Sequence, residues 1–404
     1  MCENDSRERW ENVLMTAMAL IDQAKVPYTL TGKSALVLQG VKIPDSENQT
    51  IQILIQWDAI ESLYRLFLPY EPAPVKKDLR KTWFALTIDH FQMEIVGFFG
   101  TVIRTDPDRL QIKCGTEMVF VKSLYYFLRR LQADDPLYLT VKDYLHQMQS
   151  SDAIQNEKAW NEDAFQAWIS RFGTPEQAAA KIRHDPVGRL AQLAPYFRVV
   201  KGKKIINLLG SHGGKALALS LLGADVTVVD ISEENAAYAQ RTAAALGTPL
   251  NYIVSDVLRL PKNIRTSGYD VVLMELGILH YFIDLDPLAK LVFQLLKDGG
   301  QLVLQEFHPV STKLVTTRGK KQIVFGNYFD QTLKEREVAY GKHLSSRDQS
   351  EALNYKVFLR EWTLGEIVTS FARSGLRVDR LDELPNTKNS DIGLPKLFTL
   401  VCSK

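Results

Sequence analysis

From Lys203 onward the chain alternates short apolar runs with helical stretches. KIINLL (204–209), DVTVVD (225–230), NYIVSD (251–256), YDVVLMEL (269–276) and QLVLQEF (301–307) are runs of strand length. Between the first three lie GSHGGKALALSLLG (210–223) and ENAAYAQRTAAALG (234–247), the second with a cap region at Ser232 and a stop at Gly247. Apolar strands separated by helices predict βαβ units, hence a parallel sheet covered on both faces. Upstream, Trp160, Ala164, Trp168 and Phe172 recur every four residues and predict one amphipathic helix, ended by Gly173 and Pro175. The polar stretch 147–158 lacks an apolar period and reads as a linker, which divides the chain into residues 1–151 and 152–404.

The first part carries a fainter pattern. VPYTLTGKSALVLQG (26–40) reads as a strand, a turn at Gly32 and a helix; IQILIQW (51–57) and FQMEIVGFF (91–99) read as strands. VFVKSLYYFLRRL (119–131) and LYLTVKDYLHQM (137–148) read as helices. A length of 404 residues allows two or three domains at about 150 residues each. With 46% hydrophobic and 24% charged residues the composition is globular, which excludes a disordered tail, a collagen and a coiled-coil rod.

A net charge of +2 gives no support to a broad nucleic-acid or membrane footprint. Cys2, Cys114 and Cys402 are far apart, so neither a metal site nor a disulfide framework is expected, which suits a reducing cytosol. The start MCENDSRERWENVL is charged where a secretory signal needs an apolar core, so none is expected, and no apolar run reaches about 18 residues. A soluble, cytoplasmic protein without a membrane partner is expected.

The chemistry concentrates after the first of the regular strands. Gly210, Ser211, His212, Gly213 and Gly214 form a turn in which glycines let a ligand approach the backbone and the next helix pack closely. Asp230 ends the second strand about twenty residues later, placed to accept hydrogen bonds from the ribose hydroxyls of a nucleotide. Dinucleotides and S-adenosylmethionine both use such an arrangement, but the G-x-G-x-x-G spacing of the former is absent.

INLLGSHGGKA, DVTVVDIS, IVSDVLRLP, YDVVLMELGILHYF, LLKDGGQLVLQEF and KLFTLVCSK together resemble the motifs of class I S-adenosylmethionine-dependent methyltransferases, over roughly residues 155–404. The resemblance implies an α/β, Rossmann-like sheet with helices on both faces and S-adenosylmethionine as cofactor. It also implies a cofactor site made of Gly210, Ser211, Gly213, Gly214, Asp230, Ile231, Ser255, Asp256, Val257, Glu275 and Leu276. Gly210 and Gly214 would lie under the methionine moiety, Asp230 at the ribose, Ser255, Asp256 and Val257 at the adenine, and Glu275 and Leu276 near the transferred methyl. Trp160 and Trp168 sit on the helix that covers the cofactor in similar enzymes. The acid usual late in the first strand is Leu208 here, with Asn207 beside it, which leaves the cofactor's ammonium group to Glu275 or a backbone carbonyl.

His280 and His308 follow the fourth and fifth strands, at the edge where open α/β sheets bind ligands, and are candidates for a base or a substrate-orienting donor. Tyr281 joins them as a catalytic candidate, Trp362 as an acceptor-pocket one. Residues 311–359 read as a lid over the acceptor. Lys313, Arg318, Lys320 and Lys321 could draw an anionic substrate there, although Asp330, Glu335, Glu337 and Asp348 cancel their charge, which disfavours nucleic acid and favours a small molecule.

Residues 1–151 resemble a smaller α+β fold, the minimal nucleotidyltransferase. Its magnesium-binding D-x-D pair falls on Gln52 and Leu54, which lack the required hard oxygens, so a non-catalytic module is expected. Glu94 stands where a third carboxylate belongs; Asp45 and Glu47 precede the strand, and Lys33 and Ser34 open the helix. Two other readings of the whole chain stay open: a non-catalytic S-adenosylmethionine-binding sensor or scaffold, and an NAD(P)-dependent oxidoreductase. A homo-oligomer is also left open.

Overall fold

The computed structural model describes residues 2–43, 50–266, 268–319, 321–344, 353–386 and 393–404, with side chains from residue 7 onward. Asp45, Glu47, Lys320 and Asp348 lie outside these residues, and so does the side chain of Cys2. The chain divides into two compact units, Met1–Leu145 and His146–Lys404.

In the first unit a seven-stranded sheet runs in the order β3-β4-β5-β2-β1-β7-β6. The strands are β1 (Tyr28–Thr31), β2 (Thr50–Ile55), β3 (Lys76–Lys77), β4 (Lys81–Ile88), β5 (Phe91–Phe98), β6 (Arg109–Cys114) and β7 (Glu117–Lys122). The helices are α1 (Cys2–Gln23), α2 (Gly32–Leu38), α3 (Ile60–Phe67) and α4 (Leu124–Arg130). Alternation makes β2 a half-buried strand: Ile51, Ile53 and Ile55 are fully buried, while Thr50, Gln52 and Leu54 are partly exposed. The stretch VFVKSLYYFLRRL splits where one helix was expected. Val119 and Val121 alternate inward on β7, paired with β6, and the helix begins only after Ser123, whose hydroxyl caps Tyr126 N.

A helix also runs through the stretch read as a linker: α5 spans Pro136–Trp160, and residues 147–158 are helical throughout. Buried Gln149, Ala153 and Asn156 give that stretch its packed face. The helix expected from Trp160 to Phe172 is broken at Asp163 (φ +65), so Trp160 ends α5 and α6 covers Ala164–Phe172.

The second unit is built on a sheet in the order β10-β9-β8-β11-β12-β18-β17. Its strands are β8 (Lys204–Leu208), β9 (Asp225–Asp230), β10 (Asn251–Val254), β11 (Tyr269–Glu275), β12 (Leu296–Phe307), β17 (Arg377–Pro385) and β18 (Pro395–Ser403). Strands β8 to β12 are mutually parallel and β18 is antiparallel to β12. The helices are α7 (Pro175–His184), α8 (Pro186–Leu190), α9 (Gly214–Leu221), α10 (Glu233–Leu246), α11 (Lys262–Arg265), α12 (Asp286–Leu295) and α13 (Leu364–Arg373). Helix α10 starts at the Ser232 cap and stops at left-handed Gly247, as its sequence signals predict. Ile205, Val226, Val228, Leu273 and Val303 pack with Leu217 and Leu219 of α9 in one core. Each such side chain contributes roughly 1.5–3 kcal/mol on burial.

The expected lid region holds two short ladders, β13 (Val315–Arg318) with β14 (Lys321–Val324) and β15 (Leu333–Arg336) with β16 (Val357–Arg360). Val338 and Tyr340 beyond β15 pack with Trp168 and Tyr238. Among the described residues no helix is long and apolar enough to cross a membrane.

Candidate active site

Strand order reverses between β8 and β11, and at their carboxyl ends lies a cavity of about 540 Å³. The turn after β8 forms its floor. Leu209 (φ +50) and Ser211 (φ +48) both adopt the left-handed conformation, which costs a side-chain-bearing residue about 1–3 kcal/mol. Three bonds hold the turn against that cost: Gly210 N donates to Val229 O (3.1 Å), Ser211 N to Asp230 Oδ2 (2.9 Å) and Tyr252 Oη to Ser211 O (2.7 Å). Gly210 must be glycine, because a Cβ there would lie 2.7 Å from both Asn207 Oδ1 and Val228 Cγ1.

Asp230 is buried at the end of β9. Its Oδ1 accepts from Ser232 N (3.1 Å) and Asn235 Nδ2 (3.0 Å), so it organises the start of α10 as well as the glycine turn. Burial raises its pKa against the pull of these donors. Asp256 accepts from Leu258 N at 3.0 Å, and Ser255 N donates to Asp230 O at 2.9 Å. Glu275, at the end of β11, is ion-paired with Lys215.

Of the eleven residues expected at the cofactor, ten line this cavity: Gly210, Ser211, Gly214, Asp230, Ile231, Ser255, Asp256, Val257, Glu275 and Leu276. Gly213 does not; its φ of +70 makes the bend into α9.

Arg189, on the short helix α8, was not anticipated. Its guanidinium lies 5.0 Å from the Phe172 ring and against Gly214, where any Cβ would collide with it. Its Nε is buried without a partner, and burial lowers its pKa with only Glu275 and, more weakly, Tyr238 opposing. A buried cation with an unspent donor on a cavity wall fits an anionic ligand group. His212 is wedged between Trp168 and Phe172, with ring centroids at 4.9 and 4.6 Å. Its Nδ1 accepts from Gly214 N (3.2 Å), and burial, then Arg189, pushes its pKa down to about 3. It is a neutral wall residue.

The cavity is also lined by aromatic rings: Trp160, Tyr281, Phe282, Phe307 and Tyr340 border it together with His280. Tyr281 Oη accepts from Trp160 Nε1 at 3.1 Å. The His280 ring lies 4.5 Å from that of Tyr281, and its nitrogens have no hydrogen-bond partner among the described residues. Burial lowers its pKa, opposed by the charges of Glu306 and Glu361. It is therefore a neutral imidazole facing the cavity.

His308 stands elsewhere. Phe307 faces the cavity, so the next residue along the extended chain points away from it. The His308 Nδ1 accepts from Val310 N (3.2 Å) and its Nε2 donates to Glu383 (2.7 Å), leaving no free nitrogen for a substrate. Trp362 lies outside too, donating from Nε1 to Leu279 O (3.0 Å) and Phe282 O (3.1 Å). Lys313 is buried, donating to Asp330 O (2.6 Å) and Glu361 O (2.7 Å), while Arg318 and Lys321 are exposed away from the cavity. From the stretch expected to form a lid, Ala339, Tyr340 and Lys342 line the cavity instead.

Residues 209–304 match a family described as a methyltransferase domain. The chain therefore carries a methyltransferase domain. The match is to a methyltransferase family and not to a nicotinamide-dependent one. Among solved structures, the chain is similar to an S-adenosylmethionine-dependent methyltransferase from Mesorhizobium loti, at 21% identity and a TM-score of 0.42, over 53% of this chain and 98% of that one. It is also similar to the magnesium protoporphyrin IX methyltransferase of Synechocystis PCC 6803 with bound S-adenosylhomocysteine, at 14% identity and a TM-score of 0.40, over 63% and 99% of the two chains. A third is an S-adenosylmethionine-dependent methyltransferase from Clostridium acetobutylicum, at 15% identity and a TM-score of 0.39, over 55% and 94%. No curated protein matches the chain.

Proposed function

We propose that this methyltransferase acts on a small molecule whose nucleophilic atom carries a proton, and that His280 removes that proton. The observation that carries the reading is the lining of the cavity. The cofactor candidates share it with aromatic rings and with one histidine, His280, whose pKa burial lowers and whose nitrogens have no hydrogen-bond partner among the described residues.

The residues fit S-adenosylmethionine. Asp230 would receive the ribose hydroxyls, Asp256 and Val257 the adenine, and the unspent Arg189 donor the carboxylate of the methionine moiety. When bound, the cofactor supplies an electrophilic methyl group on a sulfonium. His280 holds the acceptor by a hydrogen bond and takes its proton as a free imidazole. Tyr281 keeps its proton, since burial raises its pKa, and serves as a donor to the acceptor. The aromatic wall excludes water and favours a flat or apolar acceptor. Alignment of two bound reactants supplies the rest of the barrier lowering without a covalent intermediate.

The first unit is read as a nucleotidyltransferase-like module without that activity. What supports this is its strand–glycine–helix start and the chemistry at the D-x-D position, where Gln52 donates to Glu94 (3.4 Å) in place of a carboxylate pair.

An acceptor screen with radiolabelled cofactor, followed by His280→Ala on any hit, tests the proposal. Methyl transfer should fall by about 10²–10⁴-fold while cofactor affinity stays within a few-fold. Because the His280 pKa is below its ordinary value of 6.5, the wild-type rate should stay flat through neutral pH and fall only in the acid range, as the imidazole takes up a proton. Equal loss of transfer and cofactor affinity would make His280 structural.

A further inference from the structure

We infer that Glu306 is a positioning residue for the acceptor side of the cavity: its carboxylate holds the loop that carries His280. The inference rests on the proposed role of His280 and concerns what keeps it in place. The loop leaves β11 through Leu276 (φ +43) and Gly277 (φ +78), two successive left-handed residues, before the short 3₁₀ turn Leu279–Tyr281. Such a path leaves several backbone N–H groups pointing the same way with no strand or helix partner.

Glu306, the penultimate residue of β12, takes all of them. Its Oε1 accepts from Gly277 N (2.6 Å) and Phe307 N (2.7 Å), and its Oε2 from Ile278 N (2.8 Å) and Leu279 N (3.2 Å). Four donors converge on two oxygens, a demand that an acceptor-only carboxylate meets and an amide does not. The carbonyl side of the loop is held from two other elements. Trp362 Nε1 donates to Leu279 O and Phe282 O, at 3.0 and 3.1 Å. Gln149 of α5 donates to Tyr281 O (3.0 Å) and accepts from Ile283 N (2.8 Å). Glu306 is 6% exposed and lines no part of the cavity, so it acts through the loop and not on a substrate.

The same carboxylate sets the charge around His280. Glu306 of β12 and Glu361 after β16 are the charged groups that face the imidazole, and both favour its protonated form; Tyr281 is its titratable neighbour in the loop. Removing the Glu306 charge moves the His280 titration further down, a change that loss of a purely structural contact does not produce.

The experiment uses the full chain. In the wild type, hydrogen exchange at the Gly277, Ile278 and Leu279 amides should be slow, within about tenfold of the neighbouring strand β11. Exchange at the rate of an open loop would overturn the inference without any variant. In Glu306→Gln, which leaves an amide NH₂ facing two of the four donors, protection at these amides should drop by at least tenfold. The ¹⁵N-detected titration of His280 should shift to lower pH, and S-adenosylhomocysteine affinity should stay within about threefold. Glu306→Asp, which keeps the charge on a shorter arm, should recover the titration but not the protection. Unchanged exchange and an unchanged His280 titration in Glu306→Gln would overturn the assignment, and so would loss of protection spread evenly over the whole unit. Failure of the wild type to bind S-adenosylhomocysteine would count against the cofactor reading and leave the Glu306 result standing.

Discussion

The two units open with the same device, a strand that ends in a glycine turn and feeds a helix, and they use it differently. After β1, Gly32 turns with φ +67, and the side chain of Gln52 fills the space where its Cβ would stand. That side chain also donates to Glu94, which sits near Lys81 (3.9 Å). The turn is occupied by the protein itself. After β8, the turn instead borders the cavity, and the polar groups around it are only partly spent: Arg189 Nε, Ser211 Oγ and Asn207 Oδ1 are buried without a partner. A strand–glycine–helix start thus marks a fold in both units and a binding site in one. What distinguishes them is whether neighbouring side chains satisfy each other or leave polar capacity facing a void.

The sharpest way to break this comparison is at Asp230. Replacement by Ala removes the expected ribose acceptor and also orphans Ser211 N, Ser232 N and the Asn235 amide. S-adenosylhomocysteine affinity should fall by about 1–3 kcal/mol, and Tm should fall with it, as read by calorimetry and thermal melts. Unchanged affinity would remove the ribose assignment.

Arg189→Met is expected to have the next largest effect. Binding of S-adenosylhomocysteine should weaken by roughly 1.5–3 kcal/mol, the size of a hydrogen bond to a charged group, while 5′-methylthioadenosine, which lacks the carboxylate, should bind as before. Parallel losses for both ligands would show that the guanidinium shapes the turn and does not read the carboxylate.

In the first unit, Gly32→Ala should destabilise by about 1–3 kcal/mol through its left-handed φ and the Gln52 contact, yet leave cofactor affinity untouched. Altered affinity would mean that the two turns are not independent. The smallest effect has the opposite sign. Ser211→Gly relieves a left-handed non-glycine residue whose buried Oγ has no partner, and should raise stability by about 1 kcal/mol in denaturant titrations.

Much of the second unit was legible because burial on both faces leaves apolar runs, and because glycines and an acid at the right separation follow from what a nucleotide needs. Ten of the expected cofactor residues lie on one cavity for that reason. Arg189 was invisible: PVGRL is a one-turn helix whose place beside Gly214 is set by the packing of α7, α8 and α9, and no local period marks it. Lys215 was present in the quoted glycine segment, but its ion pair with Glu275 joins residues sixty positions apart. In EFHPV the two titratable residues invite the histidine as the chemical one; their hydrogen bonds decide otherwise, joining His308 to Glu383 and Glu306 to the His280 loop. The linker reading failed because a helix that buries few residues per turn has no strong apolar period, and residues 147–158 are of that kind.

The central claim is that this cavity is an S-adenosylmethionine site, and calorimetric titration of the purified protein with S-adenosylmethionine, S-adenosylhomocysteine and NADH, each in turn, tests it most directly. Micromolar binding of both sulfur compounds with none of NADH is the predicted result. Absence of binding by either sulfur compound, or binding of NADH in their place, would contradict it.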